Sequence, residues 1–120
     1  MNIVKDSRYG PFIFPNKDKY IGKSFDLYGE FSYHEVSFLK SLIEPGNVVI
    51  DCGANIGGIT IPLAQKIGAG GYMVAFEPQQ YIYHILCGNV AINNLTNTAV
   101  FQRLASNVDG EVRGMPVLNY

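Results

Sequence analysis

The run Val48-Val-Ile-Asp-Cys-Gly-Ala-Asn-Ile-Gly-Gly58 constrains this chain more than any other stretch. An apolar segment climbs to Asp51, and three glycines, Gly53, Gly57 and Gly58, then fall within six residues. A short continuous apolar run bounded by turn residues predicts a strand buried on both faces, as in a parallel sheet. Glycines directly after it release the backbone into left-handed angles and let a ligand approach closely. The helix that follows offers unpaired N–H groups and the positive end of its dipole. The pattern therefore predicts a strand–turn–helix unit with a ligand site at the carboxyl edge of the sheet.

The flanking sequence fills in the rest. Residues 1–30 are polar and turn-rich, with a short strand at Gly10–Phe14 and a second edge strand around Lys19–Ile21. Ser32-Tyr-His-Glu35 reads as a capping box opening a helix, with Val36, Leu39, Leu42 and Ile43 at helical spacing. Beyond the Val48–Cys52 strand, the pattern predicts a helix over Gly58–Ile67, with Pro62 tolerated in its first turn. A strand over Tyr72–Phe76, a helix over Gln79–Asn93 and a third strand over Thr98–Leu104 follow. Asn93-Asn-Leu95 suits a left-handed helix stop, and Glu111–Val117 reads as a further strand.

The order β-α-β-α-β predicts an α/β, Rossmann-like, doubly wound and mostly parallel sheet with right-handed crossovers. That domain is expected over residues 31–120, with residues 1–30 as a strand-and-loop segment packed on it. A doubly wound sheet continues on the far side of its first strand. No later segment here does so, and the fold is expected to be truncated after the third core strand. The edge of Val48–Cys52 is then open to self-association.

Composition excludes some classes. At 120 residues the chain makes one domain at most, with 48% hydrophobic and 16% charged residues. A net charge of −1 gives no electrostatic ground to expect nucleic acid or an acidic membrane. No basic-then-apolar leader and no apolar run near ~18 residues is present, so the cytoplasm is the expected location. Cys52 and Cys87 lack metal-ligand spacing and read as small buried hydrophobes, with no metal expected. His34 and His84 read as surface or boundary residues.

Asp51 carries the chemistry. A dinucleotide would present a pyrophosphate to this turn, and a carboxylate two residues before the first glycine repels it. S-adenosylmethionine (AdoMet) carries an ammonium and a sulfonium, which a carboxylate favours directly or through water. Asn55 also stands where the dinucleotide fingerprint needs its second glycine. Glu77, at the end of the next strand, can accept the hydroxyl protons of an adenosine ribose. Alternatives remain open: Asp51 as a helix cap and Glu77 as a solvated turn residue.

The segments "DCGANIG", "GGYMVAFEP" and "NVAINNL", with "YGEFS" upstream and "DGEV" downstream, resemble the FkbM family of class I AdoMet-dependent methyltransferases. The resemblance runs from about Phe12 to Val112. It implies Asp51 near the methionine end of AdoMet, Gly53, Asn55 and Gly57 in the cofactor turn, and Glu77 on the ribose. Tyr28 and Glu30 would line the methionine pocket, and Leu104–Ser106 would approach the adenine. Ser106-Asn107 replaces the family's "GD", and the fourth strand with a motif similar to "KIDVEG" is missing. The implied activity is O-methylation of a hydroxyl on a small molecule or glycan, with no nucleic acid and no membrane involved. A binding-only or inactive fragment and a nicotinamide-dependent oxidoreductase are the alternatives. No residue stands out as a catalytic base.

Overall fold

A computed structural model describes residues 1–117. The core is a parallel sheet in the order β3-β4-β5, from β3 (Val48–Cys52), β4 (Tyr72–Phe76) and β5 (Thr98–Phe101). Helices α3 (Thr60–Ile67) and α4 (Gln80–Ile92) make the two crossovers. Both crossovers step the same way across the sheet, so right-handedness places both helices on one face. Met73 of β4 packs there with Leu63, Ala64 and Ile67 of α3. Ala75, two residues on, packs with Leu86 of α4.

The opposite face has no helix among the described residues. Val48 is 69% exposed and Ile50 64%, while Val49 and Asp51, on the covered face, are half-buried. The expectation that Val48–Cys52 is buried on both faces is thus corrected. Its continuous apolar pattern is real, but among the described residues one layer of helices covers it. Cys52, expected to be buried, is exposed for the same reason, and Cys87 on α4 is half-buried. The open edge of β3 is as expected, since β3 is the outer strand of the sheet.

The N-terminal segment differs most from expectation. It forms an antiparallel hairpin of β1 (Asn2–Ser7) and β2 (Gly10–Pro15), of which only β2 was foreseen. The edge strand expected around Lys19–Ile21 is instead a loop running into helix α1 (Ile21–Tyr28). Ile21 and Phe25, at i and i+4, turn this helix inward, and Gly29 ends it in a left-handed conformation at φ 70°. Phe25 stacks on Phe12 with ring centroids 4.0 Å apart, and Phe12 and Phe14 are fully buried against Ile56, Ile82 and Ile85. Each phenylalanine buried this way contributes about 1.5–3 kcal/mol.

Helix α2 (Tyr33–Ser41) begins after Ser32 as expected, but without the backbone bonds of a capping box. Ser32 stands at φ 54°, and its hydroxyl donates to the Glu35 carboxylate at 2.8 Å. The helix stops before Leu42, which is exposed. Further along, Asn94 takes the left-handed stop at φ 55°. Strand β5 ends at Phe101, and the strand expected over Glu111–Val117 is irregular chain.

Asn89 of α4 ties these parts together. Its fully buried side chain accepts from the Ile13 N–H at 2.6 Å and donates to the Ile13 C=O at 2.9 Å, taking the place of a neighbouring strand for β2. The same amide donates to the Ile56 C=O in the glycine turn at 2.8 Å. Asn89→Leu keeps the volume and leaves these backbone groups unpaired at 1–3 kcal/mol each. Urea unfolding should show a loss of about 3 kcal/mol or more. Asn93→Ala, one turn on and less buried, should lose about 1 kcal/mol.

Candidate functional site

Parallel pairing sets Asp51 of β3 beside Ala75 of β4, so the two strands end together and Glu77 follows directly on the second. The chain then turns through Gly53 (φ 80°), Asn55 (φ 52°) and Gly57 (φ 98°) before α3 begins. These positive angles explain the glycines, and asparagine is among the few other residues that take them readily. The Asn55 side chain supports the turn by accepting from the Ile56 N–H at 2.8 Å.

The amides from Gly53 to Gly57 have partners within the protein. Gly53 and Ala54 N–H both donate to the Phe76 C=O at 2.9 Å, Asn55 N–H donates to the Glu77 carboxylate at 2.9 Å, and Gly57 N–H donates to the Ala54 C=O at 3.0 Å. The amides from Gly53 to Gly57 are thus engaged within the protein. Glu77, only 5% exposed, uses its other oxygen to accept from the Gln79 N–H at 2.9 Å. Asp51 accepts from the fully buried Thr60 hydroxyl at 2.7 Å. Neither carboxylate has an ion-pair partner among the described residues.

Two hollows open at this edge. One, of about 210 Å3, is lined by Asp51, Gly53, Asn55, Gly58 and Ile59 together with Ile21 of α1 and Phe31. The other, of about 360 Å3, lies between Pro78–Tyr81, Gln102 and the segment 113–117. Asp51, Gly53 and Asn55 are thus brought together, with Gly57 behind them and Glu77 beneath the turn. Tyr28 and Glu30 are not. Tyr28 is 73% exposed, and Glu30 is drawn to the hairpin by an ion pair with Arg8, whose backbone N–H also donates to the Gly29 C=O at 2.8 Å. Burial, with Glu30 adding to it, raises the Tyr9 phenol above its ordinary pKa. Leu104–Ser106 lie in exposed chain, where the Ser106 hydroxyl bonds Glu111.

Sequence reasoning missed Ile21, Phe31 and Thr60. The Ile21/Phe25 spacing before Gly29 was a readable signal for α1 and hence for Ile21. Thr60 carried none, because its partnership with Asp51 depends on how the turn brings α3 back to the strand.

No family model matches the chain. A curated relative from Methanocaldococcus jannaschii, tRNA(Phe) (4-demethylwyosine(37)-C(7)) aminocarboxypropyltransferase, is 42% identical over 87 residues, covering 72% of this chain and 34% of its own length. The solved structure of M. jannaschii TYW2 in complex with AdoMet matches with a TM-score of 0.63 and 26% identity over 93% of this chain and 47% of that one. A SAM-dependent methyltransferase from Aquifex aeolicus matches with a TM-score of 0.55 and 21% identity over 72% of this chain and 44% of that one. The fold is that of the class I AdoMet-dependent methyltransferases. The chain spans about a third of the length of the curated relative it matches.

The expectation of no nucleic-acid partner is corrected by that relative, whose name is that of a tRNA-modifying enzyme. A net charge of −1 is a sum over the chain and does not describe the local surface. No helix among the described residues is long and apolar enough to cross a membrane.

The glycines of the turn have separable roles. A Cβ on Gly57 would stand 3.0 Å from Leu86 and 3.2 Å from Ile61, whereas one on Gly53 would meet nothing within 4 Å. Gly57→Ala should cost about 2–4 kcal/mol by strain and overpacking. Gly53→Ala should cost about 1–2 kcal/mol by backbone strain alone. Urea midpoints of the two variants check the ranking.

Proposed function

We propose that this chain forms the AdoMet-binding part of a class I transferase that modifies RNA. One observation carries the cofactor reading. Two carboxylates without cation partners among the described residues stand at adjacent strand ends, around a turn whose amides from Gly53 to Gly57 are occupied. Such an edge attracts a cationic ligand, and the Asp51 carboxylate in it repels a pyrophosphate, which argues against a nicotinamide dinucleotide.

The residues fit AdoMet. Asp51, held by Thr60, would take the α-ammonium in the smaller hollow. The first residues leading into α3, Gly58 and Ile59, line the same hollow at the positive end of that helix and suit the α-carboxylate. Glu77 retains lone pairs for a ribose hydroxyl beyond its two amide bonds. The hollow beside Pro78 and Gln102 would take the adenine. When bound, AdoMet supplies an electrophilic carbon on a sulfonium, either the methyl or the aminocarboxypropyl group according to which faces the acceptor.

RNA as acceptor is supported by the 42% identical relative. The narrower reading, FkbM-type O-methylation of a small-molecule or glycan hydroxyl, rests on motif resemblance. A hydroxyl acceptor calls for a general base. Apart from Asp51, the lining of the smaller hollow carries no titratable side chain.

Calorimetry tests the cofactor reading. AdoMet and S-adenosylhomocysteine should bind, with affinity falling about tenfold to a hundredfold in Asp51→Ala, since a charge-assisted hydrogen bond is lost. Thr60→Val, which leaves Asp51 unsupported, should lose about threefold to tenfold, and Thr60→Ser should retain affinity. Absence of AdoMet binding, undiminished binding by Asp51→Ala, or NADH binding that AdoMet fails to displace would overturn the proposal.

A further inference from the structure

The basic residues are concentrated at one end of the chain. Lys5, Arg8, Lys17, Lys19 and Lys23 account for five of the nine lysines and arginines. Arg8 is paired with Glu30, and Lys5 with Asp26 at 3.0 Å. Lys17, Lys19 and Lys23 are exposed, and none has an ion-pair partner among the described residues. All three border a cavity of about 300 Å3 between the β2–α1 loop and the start of α1. Two aspartates also line it: Asp26 pairs with Lys5, and Asp18 accepts from the Tyr20 N–H at 2.9 Å while keeping its charge. Three lysines against the one aspartate outside an ion pair leave the lining net positive.

Tyr20 stands among these lysines, 81% exposed. It is the residue before α1, on whose outward face Lys23 and Leu27 lie, opposite the inward Phe25. A tyrosine this exposed inside a basic surface matches the pairing of stacking platform and cationic track by which proteins hold single-stranded nucleic acid. Ile21, the next residue, lines the hollow that contains Asp51. Gly22, consecutive with it, lines the basic cavity, so the first two residues of α1 face one hollow each.

We infer that the Asn16–Lys23 segment docks the RNA substrate. Lys17, Lys19 and Lys23 hold its phosphates, Tyr20 stacks a base, and the strand is directed past Ile21 to the Asp51 hollow. The inference rests on the reading of that hollow as a transferase centre and deepens it by assigning a single-stranded segment of RNA as what enters.

The test is fluorescence anisotropy of a labelled tRNA(Phe) transcript against the full chain over a series of salt concentrations, with AdoMet calorimetry on every variant. K17E/K19E/K23E should bind RNA at least tenfold more weakly. Its log–log salt slope should be shallower by about two, from roughly 0.7 per single-strand phosphate contact. K17Q/K19Q/K23Q should show the same ranking with a smaller loss, and Tyr20→Ala should lose about fivefold or more. K40E/K66E, on α2 and α3, should bind as wild type, and all of these variants should keep AdoMet affinity. The dock is overturned if the charge-reversed loop binds RNA as well as wild type, if K40E/K66E loses as much, or if the wild-type chain does not bind the transcript at low salt. Absence of AdoMet binding alongside loop-dependent RNA binding would instead overturn the cofactor reading and leave the dock standing.

Discussion

The carboxylate of Glu77 is the constraint on which the site depends. It is buried at the end of β4 and accepts one N–H from the glycine turn after β3 and another from the chain entering α4. One side chain thus fixes the exit of the first strand to the exit of the second. A buried carboxylate without a cation is costly unless hydrogen bonds satisfy it, and charge-assisted bonds to backbone amides do so well. The arrangement aims the turn so that Asp51 and Gly53 face the same hollow. Any role of Glu77 toward a ligand is therefore added to a structural one. Its removal would disturb the turn and a bound ribose together, whereas Asp51 can be altered with less effect on the backbone.

Asn89 does for the periphery what Glu77 does for the edge. A hairpin at the N-terminus of an α/β unit could hang free, but here β2 satisfies Ile13 through a side chain of α4, and that side chain also reaches the glycine turn at Ile56. The aromatic cluster of Phe12, Phe14 and Phe25 then seals the hairpin and α1 onto α3 and α4. Because α1 is held this way, Ile21 arrives at the hollow from an element distant in sequence. The N-terminal segment helps shape the site as well as covering the core.

What the sequence disclosed followed from how local each feature is. The strand, turn and helix around Asp51 depend on neighbours within a dozen residues, and the parallel α/β architecture was legible from them. Asn94 at a left-handed stop and the open edge of β3 were legible for the same reason. Helix α1 was obscured because a Tyr-Ile-Gly-Lys start is weakly helical, and tertiary burial of Ile21 and Phe25 outweighs propensity. The double burial expected for Val48–Cys52 was wrong because an apolar pattern reports what a strand can bury, and the number of layers present decides what it does bury. Glu30 was placed in the pocket by resemblance, yet an arginine on the hairpin captures it, a partnership between distant segments that spacing cannot reveal.

The charge argument failed in a related way. A net charge of −1 says little about a surface on which Lys17, Lys19 and Lys23, none in an ion pair among the described residues, lie close together with only Asp18 between them. Phosphates respond to the local potential within about a Debye length, roughly 8–10 Å, and over that range three lysines outweigh the one aspartate outside an ion pair. Asp51 lies in the hollow that Ile21 lines, with Glu77 beneath the adjoining turn. On the proposed reading the rim would attract an anionic polymer and the centre a cationic small molecule, and a transferase that joins two such ligands requires that separation.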